Sequence, residues 1–209
     1  MAWIVIAYKF LRAGGVAPYT AFRWPVGEWV EAGGADPCRN GIHACTVGNL
    51  PIWMGAELWE IELGGELVEQ ARKLVASRGR LVRRLEEWNA QLIRDFGHAC
   101  VKRTRERVGF LPVISGYVFD VERLAGLGRV PLAAFAAARA AELRDGPLGY
   151  GEERRWQANW LAERLGLTRS EAQRARVGAR RGALRARPDC GCGPGCPDPG
   201  PRVPEDDAV

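Results

Sequence analysis

The stretch "ELWEIEL", Glu57 to Leu63, constrains the fold of this chain more than any other segment. Glu60 and Glu62 alternate with Trp59, Ile61 and Leu63, and only Leu58 softens the pattern. Successive side chains of a strand point to opposite faces, so this segment rests one face on a core and turns the other to water. The strand partners it needs are all within about residues 1–79. "WIVIAYKF" reads as a strand, and "FRWPVGEWVEA" as a bent strand interrupted by Pro25 and Gly27. "GIHAC" is a short strand leaving an Asn40-Gly41 turn. Gly64-Gly65 predicts a turn, and "KLVA" a returning strand that ends before Ser77-Arg78-Gly79.

Beyond residue 79 the periodicity becomes helical. Leu81, Leu85, Trp88, Leu92 and Phe96 recur at steps of four, three, four and four, which predicts one amphipathic stripe. Gly97 marks a break before a second segment, His98 to Val108. "LPVISGYVFDV" reads equally as a strand or as irregular core chain. Pro131 suits the first turn of the Ala-rich helix "PLAAFAAARAAELRD". A helix with Trp156, Trp160 and Leu161 on one side follows from Tyr150 and ends at Gly166. Thr168 and Glu171 form a capping box for a further basic helix to about Arg187. The Pro/Gly-rich end from Pro188 lacks the apolar surface to offset its ordering and is expected to be disordered. The fold class expected is therefore α+β, with a small, mostly antiparallel β domain packed by helices. Its domains are 1–149, a helical hairpin at 150–187 and a tail at 188–209.

Charge narrows the partners. The formal net charge is +5, and residues 67–109 and 150–187 each carry +6. Only Lys9, Lys73 and Lys102 are lysine, so the basic balance is almost all arginine, as the coding bias of a GC-rich genome would give. No apolar run approaches the ~20 residues that span a bilayer. The apolar start, Ala2 to Tyr8, has no basic region before it and no cleavage-like site after it. The location expected is the cytoplasm, with no membrane partner.

The chemistry concentrates in "DPCRNGIHACTVGN", Asp36 to Asn49. Thiolate and imidazole are the ligands of structural zinc, and Cys38, His43 and Cys45 supply three. His98 or Cys100 would supply a fourth, and His98 completes the candidate set. His43 and Cys45 share one strand face. The competing reading takes these cysteines as small buried hydrophobes. A Cys38–Cys45 disulfide is disfavoured in a reducing cytoplasm, and Cys45 as a nucleophile beside His43 lacks an orienting carboxylate. Cys190, Cys192 and Cys196 have metal-binding composition without a matched histidine.

In order and spacing, "AYKFL", "VGEWVEA", "CRNGIHAC" and "ELWEIELGGELVEQARKLVASRGRLVRRL" resemble a bacterial and phage family of domains of unknown function. The resemblance covers about residues 5–88 and extends to actinobacterial proteins. Tyr8, Lys9, Gly41, His43, Cys45, Glu62 and Lys73 fall on the family's motif positions, with Cys38, Ala44, Gly65, Glu66, Ala76 and Ser77. Ile42 stands where the family often has Phe. The resemblance implies a shared fold and names no activity. At the level of fold alone, the order of elements also resembles ADP-ribosyltransferase-like domains. Lys9 and Arg12 would then be the first-strand groups facing a nicotinamide nucleotide.

Two further readings remain. "WLAERLGLTRSEAQRA" has a helix-turn-helix cadence, and Arg169, Arg174, Arg176, Arg180 and Arg181 would then face nucleic acid. Against it, Ala172 and Ala175 stand where branched apolar residues are expected, which favours a docked hairpin with a solvated basic face. Trp24, Trp29, Trp53, Trp59 and Trp88 could line a ligand pocket, but in a small β-rich domain they read more readily as core. The function expected is a non-enzymatic binding or accessory module. A nucleic-acid-associated protein is the first alternative, and a zinc-binding or ADP-ribosyltransferase-like domain the second.

Overall fold

The computed structural model describes residues 4–109 and 114–167. The chain is α+β. Among the described residues there are five strands, β1 (Val5–Leu11), β2 (Val30–Glu31), β3 (Ile42–Ala44), β4 (Glu57–Glu69) and β5 (Leu74–Arg84). The helices are α1 (Leu50–Trp53), α2 (Ala90–Val108), α3 (Ser115–Gly126), α4 (Val130–Asp145) and α5 (Pro147–Arg164). The described chain falls into two compact units, 4–46 with 55–85, and 47–54 with 86–167. α5, the described part of the hairpin expected at 150–187, packs along α4 within the second unit.

The first unit is a single antiparallel sheet ordered β1-β4-β5-β2, with β3 also on β5. The alternation in "ELWEIEL" works as expected. Ile61 and Leu63 are buried in a core with Val5, Ala7, Leu11, Ile42 and Leu81. On the other face Glu62 lies opposite Arg80 and Glu60 opposite Arg83, each joined by an ion pair.

Three expectations are corrected here. Gly64-Gly65 does not end the strand, because β4 continues to Glu69 and the register shifts between Gly64 and Leu67. Gly65 has φ +73°, and a Cβ there would collide with Ser77 Oγ, the atom that accepts from the Glu66 amide. The glycine pair is a bulge, and the turn lies later, closed by Gln70 N–H to Lys73 C=O at 2.9 Å. β5 likewise runs through Ser77-Arg78-Gly79 to Arg84. The helical stripe does not start at Leu81, which lies on β5; α2 begins only at Ala90. A step of four is also two strand periods, so Leu81 and Leu85 satisfy both patterns.

In the second unit Asn89 caps α2, its Oδ1 accepting from the amides of Gln91 and Leu92 at 3.0 Å each. α2 passes through Gly97 without a break, since one glycine costs only about 1 kcal/mol in a helix this long. "SGYVFDV", which fits strand or irregular chain by its pattern, is helix α3. α4 starts at Val130 with Pro131 in its first turn, as expected, and packs against α2, α3 and α5. Its buried residues are Val130 and seven alanines. α5 begins at Pro147, three residues before the expected start. The second helix of the hairpin and the tail lie outside the described residues.

Candidate functional site

The Asp36–Cys45 segment folds as a tight turn feeding β3. Asn40 N–H donates to Asp36 C=O at 2.9 Å, and Cys38 sits inside the turn with φ +68°. A non-glycine residue in this region is strained and must be held. The His43 ring helps hold it: Nε2 accepts from the Cys38 amide at 3.3 Å, and Nδ1 lies 3.2 Å from Gly41 C=O. That pattern places the ring proton on Nδ1. Gly41 (φ +131°) is itself pressed on Val75, where a side chain would clash.

Two nearly buried lysines fasten the segment from opposite sides. Lys9, 3% exposed, donates from Nζ to His43 C=O at 2.7 Å and lies over the Trp24 ring at 5.1 Å. Lys73, 4% exposed, donates from Nζ to Cys38 Sγ at 2.9 Å. β1 also joins the segment directly, since Tyr8 and Cys45 exchange backbone hydrogen bonds at 2.9 and 2.8 Å. Tyr8, Lys9, Gly41, His43, Cys45 and Lys73 are thus brought together around one turn and strand. Glu62 is spent elsewhere, on Arg80 at 2.6 Å.

The expected zinc set, Cys38, His43, Cys45 and His98, is not gathered in this environment. Among the described residues no group of three or more His, Cys, Asp or Glu side chains is gathered in a way that could hold a metal ion. The sulfur of Cys38 faces an ammonium and the ring nitrogens of His43 face backbone groups, so neither is presented as a ligand. Cys45 is buried, and burial pushes its thiol up to about 12, with the Lys9 charge opposing only in part. His98 belongs to α2 in the other unit, where it lines a shallow depression with Val101, Lys102, Arg105 and Glu106. Cys38, Cys45 and Cys100 are all free thiols.

Lys9, the group suggested for a nucleotide, is committed to His43 C=O, and Arg12 is exposed beyond the end of β1. Trp24 is core, and Trp59 packs against the same cluster. Trp29 instead lies under the guanidinium groups of Arg78 and Arg80 at 4.7 and 5.1 Å. Arg169, Arg174, Arg176, Arg180 and Arg181 lie outside the described residues, as do Cys190, Cys192 and Cys196.

Two polar centres were missed from sequence. Glu57, buried at the start of β4, accepts from the amides of Gly14 (2.8 Å) and Gly15 (3.0 Å), from Trp59 Nε1 (3.0 Å) and from Arg84 (3.2 Å). Burial alone would raise its pKa, but the hydrogen bonds from Trp59, Gly14 and Gly15 and the Arg84 charge together hold it below the usual carboxylate range. The only hint in sequence was an acidic residue preceding an otherwise apolar strand start beside a distant Gly-Gly pair. In the second unit Glu153 is buried on α5, where it takes Arg103 at 2.8 Å and Gln157 at 3.4 Å. Gln157 in turn donates to Ala134 C=O at 2.9 Å. The spacing of Glu153 and Gln157 puts them on one helix face, but nothing marked that face as the inner one.

α4 carries a different feature. Leu132, Phe135 and Leu143 are 49%, 46% and 51% exposed, while the residues α4 buries are Val130 and seven alanines. Comparison of the chain with known protein families, with curated proteins and with solved structures finds no match.

Proposed function

We propose that the protein is a cytoplasmic, non-enzymatic accessory module that pairs with a second copy of itself through the outward stripe of α4. The observation that supports this reading is the inverted order of that helix. A helix at a surface ordinarily turns its large apolar residues inward, whereas α4 buries alanines and presents Leu132, Phe135 and Leu143. Residues 132, 135, 139 and 143 fall within one narrow sector of a 3.6-residue helix.

The stripe is self-complementary. In an antiparallel pairing about a two-fold axis between residues 137 and 138, Leu132 meets the other copy's Leu143. Phe135 then comes beside the other copy's Arg139, a cation–π contact made twice. Arg139 is held in place by Glu142 on its own helix. One helical stripe supplies the contact, so the pairing is expected to be reversible.

The resemblance to the bacterial and phage family is part of this proposal. Its motif residues, Tyr8, Lys9, Gly41, His43, Cys45 and Lys73, act as the fasteners of a turn and strand, and that role fits a module without a catalytic centre. Nucleic-acid association is a second reading, favoured by one observation. Arg94, His98 and Lys102 are exposed on α2 at four-residue steps and continue to Arg105, though Arg105 is paired with Glu122 at 2.6 Å.

Sedimentation velocity on the full chain over a micromolar concentration series tests the pairing. The expected result is a monomer–dimer equilibrium that Phe135→Glu shifts to monomer, with the thermal unfolding midpoint unchanged. A chain that stays monomeric throughout, or a dimer indifferent to Phe135→Glu, contradicts the proposal.

A further inference from the structure

We propose that Cys38 and Lys73 form a modification site at which a peroxide joins the cysteine sulfur to the lysine nitrogen. The inference concerns the first unit and does not depend on the pairing of α4. Its geometric basis is the 2.9 Å separation of Lys73 Nζ and Cys38 Sγ. These atoms come from residues 35 positions apart, on the β3-leading turn and the β4–β5 turn. Both ends are held. Lys73 is almost wholly buried, and the His43 ring takes the Cys38 amide. Cys38 is also the one partly exposed thiol among the described cysteines, since Cys45 and Cys100 are buried. A small peroxide can reach it, whereas Cys45 and Cys100 are shielded from such a reagent by burial.

The chemistry proceeds in two balanced steps. The Cys38 sulfur attacks the O–O bond of hydrogen peroxide; an S–O bond forms, the O–O bond breaks, and the thiol proton leaves with the departing oxygen as water. The sulfur has lost two electrons and is a sulfenic acid. The Lys73 ammonium passes one proton to solvent, and its nitrogen attacks that sulfur. The S–N bond forms as the S–O bond breaks, and the hydroxide leaves with a second amine proton as water. The product is a sulfenamide linking the two turns. An external thiol reverses it by attacking sulfur and releasing the amine. The lysine that fastens Cys38 in the reduced protein is thus also the group that captures the oxidised sulfur before a second peroxide can carry it to sulfinic acid.

The test treats the folded full chain with hydrogen peroxide near stoichiometry. Remaining thiols are then blocked, and the chain is digested without reductant for tandem mass spectrometry. The expected product joins the peptides containing Cys38 and Lys73, is lighter than their sum by two hydrogens, and is cleaved by dithiothreitol. In Lys73→Arg, which keeps the charge but cannot condense, the link is lost and Cys38 is trapped as sulfenic acid by dimedone. The wild-type outcome decides the question even if that variant fails to fold. Cys38 recovered unmodified, Cys38 recovered as sulfinic acid without a link, or a link formed equally in urea-denatured chain each overturns the proposal.

Discussion

The two units solve the problem of burial in opposite ways. The sheet unit buries large side chains, Leu11, Ile42, Leu58, Ile61, Leu63 and Leu81, and turns its polar chemistry inward as well. Lys9, Lys73 and Glu57 are all nearly buried, and each is fastened to backbone or sulfur of a distant segment. The helical unit is built around a helix of alanines, which lets neighbouring helices approach closely and leaves large apolar residues on the outside. Of the exposed large hydrophobic residues, Tyr117, Phe119, Leu127, Leu132, Phe135, Leu143 and Leu148 belong to this unit. Polar groups inside a fold specify it, and apolar groups outside it await a partner. Under the proposed pairing through α4, maintenance of the fold falls to residues that look chemical, and recognition to residues that look ordinary.

The largest expected effect of a substitution lies in the first unit. Glu57→Ala leaves the Gly14 and Gly15 amides and Trp59 Nε1 without their acceptor, at a cost of about 4 kcal/mol in denaturant unfolding. The same carboxylate gives the stability a pH dependence. Its folded pKa is depressed, so its contribution is fully present above the unfolded value and is lost as pH falls below about 4.5 through the folded pKa. Unfolding midpoints measured downward from pH 6 should fall more steeply for the wild type than for Glu57→Ala. Parallel curves would show that the carboxylate is not the anchor described.

Glu153→Ala is the matching change in the helical unit, with a smaller expected cost of about 2 kcal/mol. Arg107 keeps Asp145 and Glu152 at 2.8 Å each, and Arg103 is exposed enough to find water. A loss as large as that of Glu57→Ala would erase the distinction between an anchored turn and a tolerant helical network. The smallest effect belongs to Phe135→Glu, which should leave the unfolding free energy within about 0.5 kcal/mol of wild type, because the half-exposed ring gives up only a surface contact with Arg154, for which a carboxylate is an alternative partner.

The strands of the first unit were legible because their signals are local. Alternation in "ELWEIEL" and the Asn40-Gly41 turn lead directly to β4 and β3. What was not legible depended on registers and on contacts between distant residues. The bulge at Gly64-Gly65 has the same dipeptide signature as a turn, and only the pairing with Ser77 distinguishes them. Leu81 and Leu85 satisfied a helical spacing while belonging to a strand and its exit. The segment holding Cys38, His43 and Cys45 is legible in the sequence, but not that the Cys38 sulfur inside the turn is the one that meets a charged group. That contact depends on a lysine 35 residues away and leaves no local trace. For α4 the alanine-rich sequence announced a helix, but which side faced inward depended on how small residues let its neighbours approach.

Hydrogen exchange followed by mass spectrometry, on the full chain at rising protein concentration, tests the division of roles most directly. Protection is expected to grow with concentration in peptides spanning residues 130–148. None is expected to be added in peptides spanning 36–45, which are held by their own internal hydrogen bonds. Concentration-dependent protection confined to 36–45, or none in 130–148, would contradict that division.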